Sequence, residues 1–177
     1  MRRRDCLAGV AAVGASGIGA AYALGGIDRF GDDGIDSFEL ETLAAPGSEA
    51  GMATVPEPGR VTFLELFATW CDVCERSMPA KGDAYETVED RDCQFVSVSN
   101  EPIGNTVTRD DVADWWATHD GRWPLAIDDD LELTAALDAT GVPYGFVLDE
   151  ANVVTWSHRG ETAADELREA LERQLSK

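Results

Sequence analysis

The stretch VTFLELFATWCDVC, residues 61–74, carries the most informative structural pattern in the sequence. Its first half is rich in β-branched, aromatic and leucine side chains, and it predicts a buried β-strand over residues 61–67. Cys71 and Cys74 follow, and the residues after them predict an α-helix that runs towards Val88. The two cysteines are therefore expected where a strand ends and a helix begins.

The spacing of Cys71 and Cys74 has a chemical meaning. With two residues between them at the start of a helix, the two sulfurs can form a disulfide with little distortion. The helix N-terminus also offers unpaired N–H groups and the positive end of the helix dipole, which favour a thiolate at Cys71. Because the thiolate is the nucleophile, we expect Cys71 to attack a partner disulfide and Cys74 to resolve the mixed disulfide.

A zinc site is the alternative interpretation of a Cys-x-x-Cys pair. Zinc needs two further Cys or His ligands close to the first two. The other cysteines, Cys6 and Cys93, form no second pair, and the two histidines, His119 and His158, are far apart in the sequence. We therefore predict neither a metal site nor a cofactor.

The rest of the chain alternates predicted strands and helices. This alternation indicates an α/β fold with a mixed central sheet and helices on both faces. The pattern Thr108-Arg109-Asp110-Asp111 is a capping box that opens a helix. Further strands are predicted at 38–43 (a short edge strand), 93–99 (near the middle of the sheet) and 125–127, and as a hairpin at 144–148 and 153–156; further helices are predicted at 108–116, 131–139 and 163–175.

The N-terminal segment, residues 1–26, predicts an export signal or a membrane anchor. Three arginines precede an apolar stretch rich in Gly and Ala, and a cationic start before an apolar region is the pattern of such a signal. The run RRDCL at 3–7 resembles a twin-arginine signal, with Cys6 in the aromatic position. A single membrane span of ~19 residues is the alternative. We assign residues 27–37 to an acidic linker and residues 38–177 to the folded domain.

The chain is strongly acidic, with 34 acidic and 14 basic residues and a net charge of −20. Such a surface repels phosphate, so no nucleic-acid partner is expected, and membrane contact is expected only through the N-terminal segment. The acidic residues are spread along the whole chain, and Lys81 and Lys177 are the only lysines. This distribution favours adaptation to high salt, as in haloarchaea; an ordinary soluble acidic protein is the alternative.

The segment 67–74, followed by Met78-Pro79, resembles the active-site segment of the thioredoxin superfamily. It is most similar to that of the TlpA/ResA-like thiol–disulfide oxidoreductases, which are exported or tethered to the membrane. The resemblance covers about residues 38–175. It implies a thioredoxin fold, a redox-active Cys71–Cys74 disulfide and protein disulfide or dithiol substrates. It also implies a membrane electron donor and a location on the outer face of the cytoplasmic membrane or outside the cell.

The resemblance also implies roles for further residues. It implies a cis peptide bond before Pro143, with Pro143 facing the cysteines and the backbone of Val142 pairing with a bound substrate. Glu65, which has apolar neighbours in its strand, corresponds to a buried acid that shuttles protons to Cys74, and burial should raise its pKa. Trp70 is expected to shield the sulfurs and shape the docking surface. The alternatives are an ordinary strand-starting proline and a glutamate that faces solvent.

Two residues bear on thiol reactivity. Asp72 lies beside Cys71 and opposes the helix dipole, so it is expected to raise the pKa of that thiol and to favour a reductant over a strong oxidant. Cys93 is expected to be a buried, inert thiol, because a free cysteine packs as a small hydrophobic side chain. A third redox cysteine is the alternative.

The leading hypothesis is a disulfide reductase that acts on exported proteins or on the cysteines of apocytochrome c. Two alternatives use the same fold. A copper metallochaperone has three residues between its cysteines and a distal histidine, whereas two residues separate Cys71 from Cys74. A thiol peroxidase needs a single peroxidatic cysteine in a pocket supported by Thr and Arg, and no such pattern surrounds Cys71.

Overall fold

The computed structural model describes residues 34–104 and 106–176. These residues form seven strands and four helices, in chain order β1 Phe38–Thr42, β2 Gly51–Val55, β3 Val61–Phe67, α1 Asp72–Tyr85, β4 Cys93–Ser99, α2 Arg109–Thr118, β5 Leu125–Ile127, α3 Glu132–Ala136, β6 Tyr144–Leu148, β7 Val154–Arg159 and α4 Ala164–Leu175. The strands make one mixed sheet in the order β2-β1-β5-β4-β3-β6-β7. The expected α/β fold with a mixed sheet is therefore confirmed.

The sheet is covered on both faces, as expected. Side chains of α1, α2 and α4 pack on one face, in a core that includes Phe67, Trp116 and Leu171. The short helix α3 covers the other face through Leu133 and Leu137. Strand β3 is buried at every residue because it has strands on both sides and apolar layers on both faces.

The N-terminal side of the sheet differs from the prediction. The strand predicted at 38–43 exists as β1, but it is not an edge strand, because it pairs with β5 on one side and with β2 on the other. Strand β2 at Gly51–Val55 was not predicted, and it forms the edge. Its five residues start with glycine and show little apolar alternation, so its extended conformation depends on pairing with β1.

The other elements agree with the prediction apart from their ends. The capping box is present, with Thr108 and Asp111 bonding each other's backbone N–H groups. Helix α3 is shorter than the predicted 131–139: Leu131 and Asp138 on either side of it have positive φ angles of 63° and 45°, which an α-helix does not accommodate. Strand β7 begins one residue later than predicted and extends to Arg159.

The predicted signal at 1–26 lies outside the described residues, as do the first residues of the predicted linker. In the part of the chain that the structure describes, no helix has the length and apolar character needed to cross a bilayer.

The sheet topology gathers three segments at one edge. Strands β3 and β4 are parallel, so their carboxyl ends lie at the same edge of the sheet. Strand β6 is antiparallel to β3, and its first residue, Tyr144, pairs with Leu66 near the end of β3. Helix α1 also starts there. We call this the carboxyl edge, defined by the ends of β3 and β4 and the start of β6.

Candidate active site

Cys71 and Cys74 form a disulfide at the carboxyl edge, with their Cα atoms 5.2 Å apart. Cys71 is the N-cap of α1, and its Sγ accepts a hydrogen bond from the backbone N–H of Cys74 at 3.1 Å. Cys71 is 6% exposed, whereas Cys74 is fully buried. Both cysteines are buried, but only Cys71 keeps some exposed surface, and its sulfur lies where the helix dipole favours a negative charge.

A tight turn leads into the first cysteine. The backbone N–H of Cys71 donates to the carbonyl of Ala68 at 3.1 Å, which closes a turn over Thr69 and Trp70. The Trp70 side chain is 71% exposed and lies next to the disulfide in the chain. An indole held at the surface beside a reactive sulfur is suited to contact a docking protein.

The segment Val142-Pro143 lies at the same edge, directly before β6. The peptide bond between these residues is cis, as expected. The carbonyl of Pro143 accepts a hydrogen bond from Gly160 N–H at 2.9 Å, whereas Val142 has no backbone partner in the described residues. Val142 is therefore free to pair with an extended segment of another protein.

Glu65 is buried within β3, at 2% exposure, and the alternation of the strand places it on the same face as Phe63 and Phe67. Its carboxylate forms an ion pair with Lys81 and accepts a hydrogen bond from Ser97 Oγ at 3.2 Å. Burial raises the pKa of Glu65, and Lys81 and Ser97 only partly offset that effect. The predicted burial is therefore confirmed, while the proton-transfer role remains a prediction.

Lys81 is a site residue that the sequence analysis did not identify. It lies on α1 seven residues after Cys74, which is two helical turns, so the two side chains share one face of the helix. Lys81 is 4% exposed, and Glu65 supplies its ion pair. The composition could have revealed it, because Lys81 is the only lysine before the last residue of a chain whose other basic residues are arginine.

Glu101 is a second buried carboxylate near the cysteines that was not predicted. It is 2% exposed and accepts hydrogen bonds from both the backbone N–H and the hydroxyl of Thr69, at 2.7 and 2.9 Å. Its position could have revealed it, since an acidic residue two positions after a buried parallel strand lies at the edge of the sheet where functional sites form.

Other residues considered from the sequence lie elsewhere. Cys93 begins β4 at the opposite edge of the sheet, which we call the amino edge because β3 and β4 begin there. It is half-buried, and so more exposed than the buried thiol that the sequence predicted. Burial raises the pKa of Cys93 to about 11. The ring nitrogens of His158 face the carbonyl of Glu161 and the carboxylate of Glu166. In residues 34–104 and 106–176, no group of three or more His, Cys, Asp or Glu side chains is placed to hold a metal.

The helix-capping disulfide, the cis-proline at the neighbouring strand and the mixed sheet together define a thioredoxin-like redox site. The chain belongs to the Redoxin family, whose model matches residues 31–174. The expected resemblance to the thioredoxin superfamily is thereby confirmed.

Individual relatives agree with this assignment. The chain is 24% identical to the thiol–disulfide oxidoreductase ResA of Bacillus thuringiensis over 115 residues, which cover 65% of this chain and 64% of ResA. The crystal structure of StoA from Bacillus subtilis superposes with a TM-score of 0.64 at 21% identity, covering 76% of this chain and 95% of StoA.

A third relative is an exposed lipoprotein thioredoxin of Streptococcus pneumoniae. Its structure gives a TM-score of 0.63 at 19% identity and covers 77% of this chain and 98% of that protein. The two structural matches establish the fold. The ResA match spans just under two thirds of ResA, whose name gives the enzyme class that the sequence predicted.

Proposed function

We propose that this protein is a thiol–disulfide oxidoreductase that reduces disulfides of exported proteins, with Cys71 as nucleophile and Cys74 as resolving cysteine. The observation that carries the proposal is the Cys71–Cys74 disulfide at the N-terminus of α1, in which Cys71 keeps some exposed surface and Cys74 has none. The name of the matched relative ResA supports the same class of reaction.

The first step is an attack by the reduced protein. The Cys71 thiolate attacks one sulfur of the substrate disulfide, forms a mixed disulfide and releases the other substrate sulfur as a thiolate. The hydrogen bond from Cys74 N–H and the helix dipole stabilise the attacking thiolate before the bond forms. The exposed ring of Trp70 and the unpaired backbone of Val142 provide the surface on which the substrate segment docks.

The second step frees the substrate. Cys74 loses its proton and attacks the Cys71 sulfur, which forms the Cys71–Cys74 disulfide and releases the second substrate thiolate. A base is needed next to this buried thiol, and Glu65 is the buried carboxylate on the same face of the sheet core. Its raised pKa brings its proton affinity closer to that of a thiol, which suits proton exchange.

The cycle closes when a membrane electron donor supplies two electrons to the Cys71–Cys74 disulfide. We propose that residues 1–26 export or anchor the chain, that residues 27–37 link it to the domain at 38–177, and that the domain acts on the outer face of the membrane or outside the cell. The name of the pneumococcal relative, an exposed lipoprotein thioredoxin, supports this location. Apocytochrome c is the specific substrate that we propose, together with other exported proteins.

A trapping experiment tests the proposal. Cys74→Ser cannot resolve the mixed disulfide, so it should accumulate covalent adducts with substrate proteins in the native organism, and mass spectrometry then identifies them. Cys71→Ser should trap nothing, and Cys93→Ser should behave as the wild type. The proposal fails if Cys74→Ser forms no adducts that a reductant releases.

Measurements of copper binding and of peroxide turnover separate the two alternatives. Stoichiometric copper binding that His158→Ala abolishes would support a metallochaperone. Peroxide turnover by Cys74→Ser would support a thiol peroxidase. A midpoint potential near −120 mV for the Cys71–Cys74 pair would contradict the reductive direction, because about that value is typical of a strong oxidant.

A further inference from the structure

The described residues include three buried acidic side chains, Glu65, Glu101 and Asp128. Burying a carboxylate is costly unless its oxygens are well bonded, so each of the three needs a structural explanation. Glu65 pairs with Lys81 and serves the proposed reaction. Asp128 accepts hydrogen bonds from the first turn of α3. Glu101 alone has no assigned role.

The carboxylate of Glu101 is held by three neutral donors. Its Oε2 accepts the backbone N–H of Thr69 at 2.7 Å and the hydroxyl of Ser99 at 3.3 Å, and its Oε1 accepts the hydroxyl of Thr69 at 2.9 Å. None of the ion pairs among the described residues includes it. Hydrogen bonds to a carboxylate are roughly twice as strong as neutral ones, so Thr69 is firmly attached.

The sheet register explains why Glu101 meets Thr69. The parallel pairing of β3 with β4 ends at Phe67 and Ser99, and the N–H of Asn100 adds one weak bond to the carbonyl of Phe67 at 3.4 Å. Thr69 and Glu101 each come two residues after these strand ends. The Glu101 side chain therefore ties together the two chain segments that leave the carboxyl edge.

Thr69 lies in the turn that delivers the nucleophile. That turn is closed by the bond from Cys71 N–H to Ala68, and Cys71 must then begin α1 for its sulfur to accept the N–H of Cys74. Fixing Thr69 fixes where the turn begins and thus where the sulfur lies relative to the helix. We propose that Glu101 is a positioning residue for the redox reaction, acting through Thr69 to hold Cys71 at the helix N-terminus. This inference rests on the proposed function.

Asp128 provides a matched control in the same molecule. Like Glu101, it is a buried carboxylate that follows a strand and accepts both the backbone N–H and the hydroxyl of one threonine, Thr134, at 2.8 and 2.6 Å. It holds α3 instead of the turn before Cys71. Removal of either carboxylate therefore has a similar local cost, but only the loss of Glu101 should affect the cysteines.

The test compares Glu101→Ala with Asp128→Ala in the full chain. Each change is also made in the Cys74→Ser background, where thiolate absorbance gives the pKa of Cys71. We expect both substitutions to lower the stability. Only Glu101→Ala should raise the pKa of the Cys71 thiol and lower kcat for insulin reduction, by about ten-fold, because the sulfur is misplaced.

Two further variants keep the test decisive. Glu101→Gln retains an acceptor for the Thr69 N–H, so it should recover most of the lost kcat. If Glu101→Ala does not fold, Thr69→Val removes the hydroxyl donor alone and should shift the pKa of Cys71 in the same direction. Equal thiol pKa values and equal kcat in Glu101→Ala and Asp128→Ala would overturn the proposal. If the wild type does not reduce insulin, the proposed function fails, and the comparison of thiol pKa values still decides the role of Glu101.

Discussion

A cysteine lies at each end of the paired strands β3 and β4, and the surroundings of the two thiols differ. At the carboxyl edge, Cys71 is 6% exposed and caps a helix. At the amino edge, Cys93 is half-buried and therefore more accessible, but burial raises the pKa of its thiol to about 11. Accessibility alone thus does not make a thiol reactive. The helix N-terminus and the hydrogen bond from Cys74 distinguish the two positions.

The largest expected difference between the two edges is in the rate of disulfide reduction after Cys71 or Cys93 is replaced. We expect Cys71→Ser to abolish disulfide reduction, because no nucleophile remains at the helix N-terminus. Cys93→Ser should leave the rate unchanged, since its thiol is mostly protonated and lies at the other edge. The rate of insulin reduction measures both. A large loss in Cys93→Ser would contradict the contrast.

The charged pairs at the two edges should also differ. Lys81→Met leaves Glu65 buried without its cation, and breaking a buried pair in this way costs about 3–5 kcal/mol. Arg60 lies before β3 at the amino edge and pairs with Glu57 and Asp92 near the surface, so Arg60→Ala should cost about 1 kcal/mol or less. Denaturant unfolding gives both values.

The double variant Glu65→Gln/Lys81→Met is the control for this comparison. It removes both charges, so it should be less destabilised than Lys81→Met alone. If Lys81→Met lowers the free energy of unfolding no more than Arg60→Ala does, the buried pair is no more important for stability than the surface pair.

Alkylation of the reduced protein should separate the thiols by rate. With a thiol pKa of about 11, Cys93 is a thiolate in only about one molecule in a thousand at pH 8. We expect iodoacetamide to modify Cys71 about a hundred times faster than Cys93, as followed by peptide mass spectrometry. Comparable rates would mean that the helix terminus does not activate Cys71.

The smallest expected effect concerns the pH dependence of stability. Burial raises the pKa of Glu65 above its usual value of 4.5, so the folded chain binds that proton more tightly than the unfolded chain. The stabilisation from this proton is complete below pH 4.5 and is lost as the pH rises through the folded pKa. Glu65→Gln lacks this dependence.

The free energy of unfolding of the wild type, minus that of Glu65→Gln, should therefore fall as the pH rises. The fall amounts to about 1.4 kcal/mol for each tenfold change in proton affinity. Unfolding curves between acid and neutral pH measure it. A difference that grows with pH would show that the attraction of Lys81 outweighs burial.

Elements with a strong local pattern were predictable from the sequence. Strands β3 and β4 match their predicted bounds, since a continuous apolar run is typical of a strand buried on both faces. The capping box of α2 was predicted because it depends on residues only three apart. Strand β2 was missed because pairing with β1, and not its own composition, makes it a strand.

The parts of the site that consist of residues close together in the sequence could be predicted. The cysteines and the cis-proline segment carry local motifs, whereas the partners of the buried carboxylates come from distant positions. Lys81 meets Glu65 across 16 residues, and Glu101 meets Thr69 across 32. Such contacts depend on strand register and helix packing, which a single sequence does not specify.

The sulfur of Cys71 is also the first hydrogen-bond acceptor of α1. A thiolate accepts such a bond more strongly than a neutral sulfur does, so the start of the helix is held most firmly in the free reduced protein. Once Cys71 is bonded to a substrate, its charge is gone, so we expect the first turn to be held less firmly. That turn contains Cys74, the group that must move next. We therefore expect the cap of α1 to weaken at the step when Cys74 has to approach the Cys71 sulfur.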